Sequence, residues 1–467
     1  MSFGALPTEL DQRMLDLLEH EDLHEISQVN KYLRGLAEPL IYRHIDLKTG
    51  NDTYARLLLL TLIERPELAA HIQSVSLAGT HTEDYYVTHY RRSAFTRVQG
   101  AIGRIHDIIR DAVGSQQDAP KICVSWLGAV LSDDCMEGSL ALIISLAVNV
   151  ESIQLETPET RYGYRLGRYL SVLNHDKDPI AARSLMKLRQ FSVQARTSIQ
   201  FPLVPQLESL KIRDATCCLP RMMEHLPAPI NLHTIELIGC RGPSWVARDI
   251  CGLSSAASLV RFVLRGVPFD SQQCFQETID ALQKHSPKLQ YLEISDVYIP
   301  DDTDDNGPVG EDEVSPLQKW HLFTSLKTLR VDLDLLVNED HRLHLLDPQD
   351  ILPQDLEELH ITAMCHLELE ELVQDYCHAL FRMPMVAEAD MLNLVSECSF
   401  TYLTLTVNNA PKDVTRRFIT TKTLLAKLAQ LLEFKTRLRL EVYRTARAHD
   451  DESCGKLLVS SVGCPAD

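Results

Sequence analysis

A chain of 467 residues is long enough for two or more ordinary domains or for one long repeat array. With 45% hydrophobic and 24% charged residues it is expected to fold and stay soluble, and aromatics at only 6% point to an aliphatic, Leu-dominated core. A formal net charge of -19 argues against holding nucleic acid or an anionic membrane by bulk charge.

The first 45 residues or so read as three short amphipathic helices. Thr8 is placed to cap the first, with Asp11 as its capping-box partner. Leu10, Met14, Leu17 and Leu18 then fall at i, i+4, i+7 and i+8, on one helical face. Asp22 is placed to cap the second helix with Glu25, and Leu23, Ile26 and Val29 face inward. Leu33, Leu36 and Leu40 line the third, which Pro39 bends or ends. Three short helices have too little interior to bury all of these side chains against one another. Some must face another surface.

This stretch resembles the F-box. The residues that carry the resemblance are Leu6-Pro7, Met14-Leu15, Leu17-Leu18, Glu21-Asp22-Leu23, Ser27 to Lys31 and Pro39 to Tyr42. It covers about a tenth of the chain, and where many F-boxes carry Trp this chain has Leu33. The resemblance implies that the apolar face docks on the Skp-type adaptor of a cullin–RING ubiquitin ligase. The adaptor contacts it implies are Leu6, Pro7, Leu10, Met14, Leu18, Leu23 and Leu33.

Further along, Tyr54 to Ile63 reads as a Leu-rich helix ended by Pro66. A pattern of the form apolar-x-x-apolar-x-apolar then recurs. It appears at Ile72/Val75/Leu77, Val150/Ile153/Leu155, Leu188/Phe191/Val193, Leu207/Leu210/Ile212 and Leu232/Ile235/Leu237. It returns at Leu259/Phe262/Leu264, Leu289/Leu292/Ile294, Leu326/Leu329/Val331, Leu356/Leu359/Ile361 and Phe400/Leu403/Leu405. The last two apolar residues of each copy lie two apart, so they share one face of a strand. Segments between copies carry helical spacing, as in Phe275-Ile279-Leu282 and Leu140-Ile143-Ile144-Ala147. The pattern looks like the leucine-rich repeat. Its central steps are uneven, at 19 (193 to 212), 25 (212 to 237), 27 (237 to 264) and 30 (264 to 294) residues. The Asn or Cys usual after the strand is mostly missing, although Cys240 follows Leu237 closely.

The predicted fold class is therefore α/β: a three-helix F-box-like domain over 1–48, then an irregular leucine-rich-repeat solenoid over 49–445 with a parallel concave sheet. A doubly wound α/β domain also alternates strand and helix, but no Gly-rich phosphate turn follows any strand here. Residues 84–134 fit the array least and read as an insertion or degenerate repeats, with Val98 to Val113 a helix. Residues 300–316 read as an acidic loop. Leu424 to Phe434 reads as a helix, Leu438/Leu440/Val442 as a capping strand, and 446–467 as a loose tail.

Three constellations invite metal chemistry. His20-Glu21-Asp22-Leu23-His24 has the zinc-peptidase spacing, but a cap at Asp22 would split it across a helix junction. Asp302, Asp304, Asn306, Gly307 and Glu313 match the calcium-loop spacing, but Pro300 and Pro316 leave no room for flanking helices. Cys365-His366 and Cys377-His378 recur at a spacing of twelve across a predicted helix, which holds the pairs apart. No metal, cofactor or catalytic set is expected from these. The twelve Cys are scattered without C-x-x-C, and Met1 to Ala5 has neither a basic nor an apolar leader region. The longest apolar run, Leu140 to Val150, is too short to span a bilayer. A cytoplasmic or nuclear protein with free thiols is expected.

Together the two resemblances look like an F-box/leucine-rich-repeat substrate receptor, not itself an enzyme, whose partners are the adaptor, the ligase behind it and a protein substrate. The alternative is a ligase-independent repeat scaffold whose first helices cap the array. The outward strand positions carry Lys211 and Arg213, Glu236, Arg261 and Arg265, Tyr291 and Glu293, Arg330 and Asp332, and Glu358 and His360. Lys211 is expected to neighbour Glu236, and Glu293 to neighbour Arg330. Arg213, Arg261 and Arg265 have no such obvious partner, so with Tyr291 they form the predicted substrate patch, suited to carboxylate or phosphate.

Overall fold

Alternating apolar residues set the strands of this chain, and apolar residues at helical spacing set the segments between them. The computed structural model describes residues 7–48, 52–78, 96–113, 119–131, 136–156, 185–194, 206–214, 231–240, 258–269, 271–297, 320–332, 335, 353, 355–364, 402–408, 439–445 and 456–461. The chain divides into two compact units, Met1–Leu232 with Cys240–Gly242, and His233–Gly239 with Pro243–Asp467.

The first unit opens with α1 (Thr8–Leu15), α2 (His20–Ser27) and α3 (Lys31–Ile41). Both predicted N-caps are displaced. Pro7 precedes α1, and its carbonyl accepts the Leu10 and Asp11 N–H groups, so Thr8 is already helical. Glu19 caps α2 through its carbonyl, which leaves Asp22 in the first turn, where its charge suits the positive helix end. Asn30 caps α3, its Oδ1 accepting the Leu33 N–H at 2.8 Å. The helix runs through Pro39 and ends at Ile41. Leu15, Leu23 and Ala37 form the bundle core, with Leu18, Ile26, Leu36, Leu40 and Ile41 packed against it.

The bundle is joined to the next elements by β1 (His44–Lys48), which pairs in parallel with β2 (Ser74–Ala78). The sheet thus begins inside the stretch that the sequence reading assigned to the helical domain. Ile45 and Leu47 stand in register with Val75 and Leu77, an extra copy of the strand pattern. Between them lie α4 (Asp52–Glu64) and α5 (Pro66–Ala69). Arg65, at the start of α5, grips Glu38 of α3 through two nitrogens at 2.8 and 2.9 Å and reaches Glu67 at 3.0 Å.

Residues 96–113 are helical in part, with α6 (Ile102–Val113) burying Ile105, Ile109 and Val113. It is followed by α7 (Ala119–Leu131) and α8 (Met136–Leu146). So the described part of 84–134 is helical, with no strand among those residues. Trp126 is fully buried and donates to the Gly138 carbonyl at 2.9 Å. Gly138 must lack a side chain, since a Cβ there would sit 2.8 Å from the Val130 nitrogen. Then β3 (Ser152–Glu156), β4 (Gln190–Gln194) and β5 (Ser209–Arg213) continue the parallel pairing.

The second unit holds β6 (Thr234–Ile238), β7 (Arg261–Arg265), α9 (Gln272–His285), β8 (Tyr291–Ser295), β9 (Thr328–Asp332), β10 (Glu358–Met364), β11 (Tyr402–Asn408) and β12 (Arg439–Thr445). These strands pair in parallel in chain order. A last strand, β13 (Lys456–Ser461), runs antiparallel to β12. It falls in the segment that the sequence reading leaves as a tail.

The last two apolar residues of each predicted triplet fall on a strand, β2 to β11, and within each unit they stand in register with those of the neighbouring strand. Ile235, Phe262, Leu292, Leu329, Leu359 and Leu403 form one row of the second unit. The leading residue of each described triplet is buried as well, from Ile72 to Leu356. Ahead of β1 to β4 and of β6 to β9, one backbone carbonyl accepts two N–H groups from the start of the next strand in the same unit. In the first unit Arg43, Gln73, Glu151 and Arg189 do so, and in the second His233, Val260, Gln290 and Lys327. This satisfies the backbone where the chain turns inward. The residues after β5 to β8 are left-handed: Asp214, Gly239, Gly266 and Asp296. Gly266 donates to Ser295 O at 2.9 Å, and Gly239 to Arg265 O at 2.7 Å.

Candidate interaction surfaces

In α1 the buried side is Asp11 and Leu15. Leu10, Met14 and Leu17 therefore share the opposite, solvent side, 45%, 38% and 85% exposed. The turn after α1 extends that face, because Leu17 N–H still bonds to Met14 O at 3.2 Å. Val29 and Tyr32 are exposed too. Tyr32 is fixed to α1 by its hydroxyl, which donates to Asp11 Oδ2 at 2.7 Å. That bond to a carboxylate raises the Tyr32 phenol above its ordinary range, with burial adding to it. The other Asp11 oxygen is buried without a partner among the described residues.

The residues proposed from sequence for an adaptor divide accordingly. Pro7, Leu10 and Met14 are exposed, and Leu18 is half-buried against the bundle core. Leu23 and Leu33 are buried, so their side chains belong to the helical module's own interior and cannot present to a partner. Leu6 lies outside the described residues.

The second surface is the outward face of β7 to β10 in the second unit. Arg261 and Tyr291 are register neighbours, and the Arg261 guanidinium stacks 3.7 Å from the ring centroid. The same Arg261 bonds Glu236 through Nε at 3.1 Å. Glu293 is nearly sealed from water, its side chain 4% exposed. One of its oxygens takes Arg265, through Nε at 3.0 Å and a terminal nitrogen. The other accepts the Tyr291 hydroxyl at 2.7 Å. Burial pushes the Glu293 carboxyl up, but the bonds from Arg265 and Tyr291 prevail and hold it below the usual carboxylate range. Burial and the bond to Glu293 push the Tyr291 phenol up to about 12.

The strand pattern in the sequence leaves Arg261 and Arg265 without partners and gives Glu293 to Arg330. The structure reverses both assignments. Glu236 holds Arg261, and Glu293 is occupied by Arg265 and Tyr291. Arg330 has Glu293 and His360 as register neighbours and its guanidinium 5.5 Å from the Tyr291 ring. His360 approaches Glu358 at 3.5 Å, yet burial first and Arg330 second lower its pKa, favouring the neutral ring. Of the predicted patch, Arg261, Arg265 and Tyr291 come together, whereas Arg213 ends β5 in the first unit. Arg330, absent from that predicted patch, belongs with them. Register sets Thr328 beside Tyr291 and Arg330 beside Glu293, so Arg330 reaches the ring diagonally, as only its side-chain conformation reveals.

The metal motifs fare differently. His20 and His24 lie on one uninterrupted helix, so Asp22 does not split them. Both are exposed, and His20 Nε2 lies 3.3 Å from Ile41 O. Among the described residues no group of three or more His, Cys, Asp or Glu is placed to hold a metal. The Asp302–Glu313 loop and the Cys365-His366 and Cys377-His378 pairs lie outside the described residues. No described helix is long and apolar enough to cross a membrane.

No protein-family model matches the chain, and no characterised protein matches its sequence.

Proposed function

We propose that the chain is the substrate-recognition subunit of an SCF-type cullin–RING ubiquitin ligase, acting in the cytoplasm or nucleus. On this reading α1 to α3 are an F-box that docks on a Skp-type adaptor. The strand–helix repeats are an irregular leucine-rich-repeat solenoid whose sheet face holds a protein substrate. The observation that carries the reading is the apolar side of α1. Leu10, Met14 and Leu17 stay in water although the bundle beneath them has closed its own core. A face of that kind marks a partner site.

The subunit makes and breaks no bonds itself. It holds adaptor and substrate at once, so that ubiquitin transfer happens within one assembly at a high effective concentration. The test is co-purification of the full chain with a Skp-type adaptor, wild type against a Leu10→Asp/Leu17→Asp variant. Capture by wild type and loss in the variant, with unchanged circular dichroism, supports the reading.

The alternative is a ligase-independent scaffold with the helices as a cap. It is favoured by β1, which runs the bundle into the sheet, and by the Arg65–Glu38 clamp. Equal or absent adaptor capture by both proteins would decide for the scaffold.

A further inference from the structure

We propose that Arg330 anchors a binding site for one anionic group, a carboxylate or a phosphate, on a protein segment laid along the outward face of β7 to β10. That the segment is a substrate rests on the receptor reading above; the anion site does not.

The other cations of this face are already paired. Arg261 is taken by Glu236, and Arg265 by Glu293. Tyr291 closes the remaining Glu293 oxygen. Both oxygens of the carboxylate that stands beside Arg330 in register are thereby engaged by other residues. His360, on the other side, offers a side chain that burial keeps neutral. Arg330 makes no ion pair among the described residues, and its Nε is buried without a hydrogen-bond partner. A guanidinium held off its neighbouring carboxylate has an unmet demand for an acceptor.

The surroundings fix its position. The Tyr291 ring lies under both Arg261 and Arg330, and its hydroxyl is tied to a sealed carboxylate. The ring is therefore a rigid platform. Val263 and Glu293 hold outward positions yet are buried, so the face around Arg330 is packed. A fixed, partly dehydrated guanidinium loses little freedom when an anion arrives.

The same pairing limits the ligand. Three cations, Arg261, Arg265 and Arg330, face four carboxylates, Glu236, Glu293, Asp332 and Glu358, so the patch carries no excess positive charge. The whole chain carries -19. One localised anionic group fits this setting, and a polyanion does not.

The experiment uses the full-length chain and three pools of fluorescein-labelled decapeptides with degenerate uncharged flanks. Their centres are phosphoserine, a glutamate pair, or serine. Fluorescence anisotropy should rise saturably with an anionic pool and not with the serine pool. Binding of the phosphoserine pool alone assigns the group as phosphate, and binding of the glutamate pool assigns carboxylate. Arg330→Gln should weaken the anionic pool about tenfold or more, as expected for one charge-assisted contact. Arg330→Lys, which keeps the charge but loses the fork, should fall between. If Arg330→Gln does not fold, Arg330→Lys decides, and affinity equal to wild type overturns the proposal. So does binding of all three pools alike, or of none. Adaptor co-purification on the same proteins separates the two readings. Arg330→Gln that keeps the adaptor but loses the anionic pool supports both. Wild type that binds the anionic pool through Arg330 without any adaptor leaves this site standing and removes the ligase assignment.

Discussion

The Tyr291 hydroxyl donates to Glu293 at 2.7 Å from two residues earlier on the same strand, and with Arg265 on the other oxygen it sets the charge pairing across β7 and β8. Residues two apart on a strand share a face. With Tyr291 on one oxygen and Arg265 on the other, Glu293 can be buried and charged together. Arg265 is 45% exposed, so solvent screens its share. Glu293→Gln should therefore cost only about 1–2 kcal/mol. The folded Glu293 carboxyl lies below its ordinary value, so its contribution is present above the usual carboxylate range and is lost as pH falls through the folded pKa. Urea midpoints measured from pH 7 down to pH 3 should fall less steeply in Glu293→Gln than in wild type. Parallel curves would show that Glu293 does not carry the charge assigned to it.

The partner of that bond titrates at the other end of the scale. With its phenol pushed from 10.0 up to about 12, Tyr291 stabilises the fold fully below the unfolded value. That stabilisation is lost as pH rises through about 12. Tyr291→Phe should remove this step from the alkaline stability profile. It should also leave Glu293 short of a donor, costing about 1–3 kcal/mol at neutral pH.

Helix packing in the first unit hangs on a missing methyl group. A Cβ at Gly138 would stand 2.8 Å from the Val130 nitrogen and 3.0 Å from Ala129. Gly138→Ala must push α7 and α8 apart, with the Trp126 bond to the Gly138 carbonyl stretched as they part. A loss of about 1–3 kcal/mol is expected, read as a lower urea midpoint and a shift in Trp emission. Gly128→Ala, on the same α7, meets nothing within 4 Å and should be neutral or slightly stabilising.

The repeats were legible because burial enforces them. An apolar residue that must sit under a parallel neighbour leaves a mark in the sequence, and Val75, Ile153, Phe191 and Leu210 share one row for that reason. The strand at Ile45 and Leu47 escaped notice because the preceding helical pattern runs straight into it. The helix starts were less legible. Pro7 and Glu19 cap through backbone carbonyls, which leave no side-chain signature, while Thr8 and Asp22 look like caps and are not. The charged face was half legible. Register placed Arg261 beside Tyr291, but Arg265 reaches diagonally to Glu293, and only side-chain conformation reveals that choice. On α1, spacing found the apolar face but not which side of the helix it occupies. Asp11 takes the buried side because Tyr32 is there to bond it.

That inversion on α1 gives a last test, independent of any adaptor. Leu10, Met14 and Leu17 contribute little to the fold if they face water, whereas Leu15 is fully buried in the bundle core. Leu17→Asp should change stability by no more than about 0.5 kcal/mol, as exposed substitutions do. Leu15→Ala removes packed methyl groups and leaves a cavity, so it should cost about 2–5 kcal/mol. Leu17→Asp should also lower any tendency of the isolated chain to self-associate, because it breaks the exposed apolar face without touching the core beneath. Urea unfolding gives the first comparison, and sedimentation velocity over a range of concentrations gives the second. A Leu17→Asp variant as destabilised as Leu15→Ala would place Leu17 inside the fold and close the surface on which the adaptor reading depends.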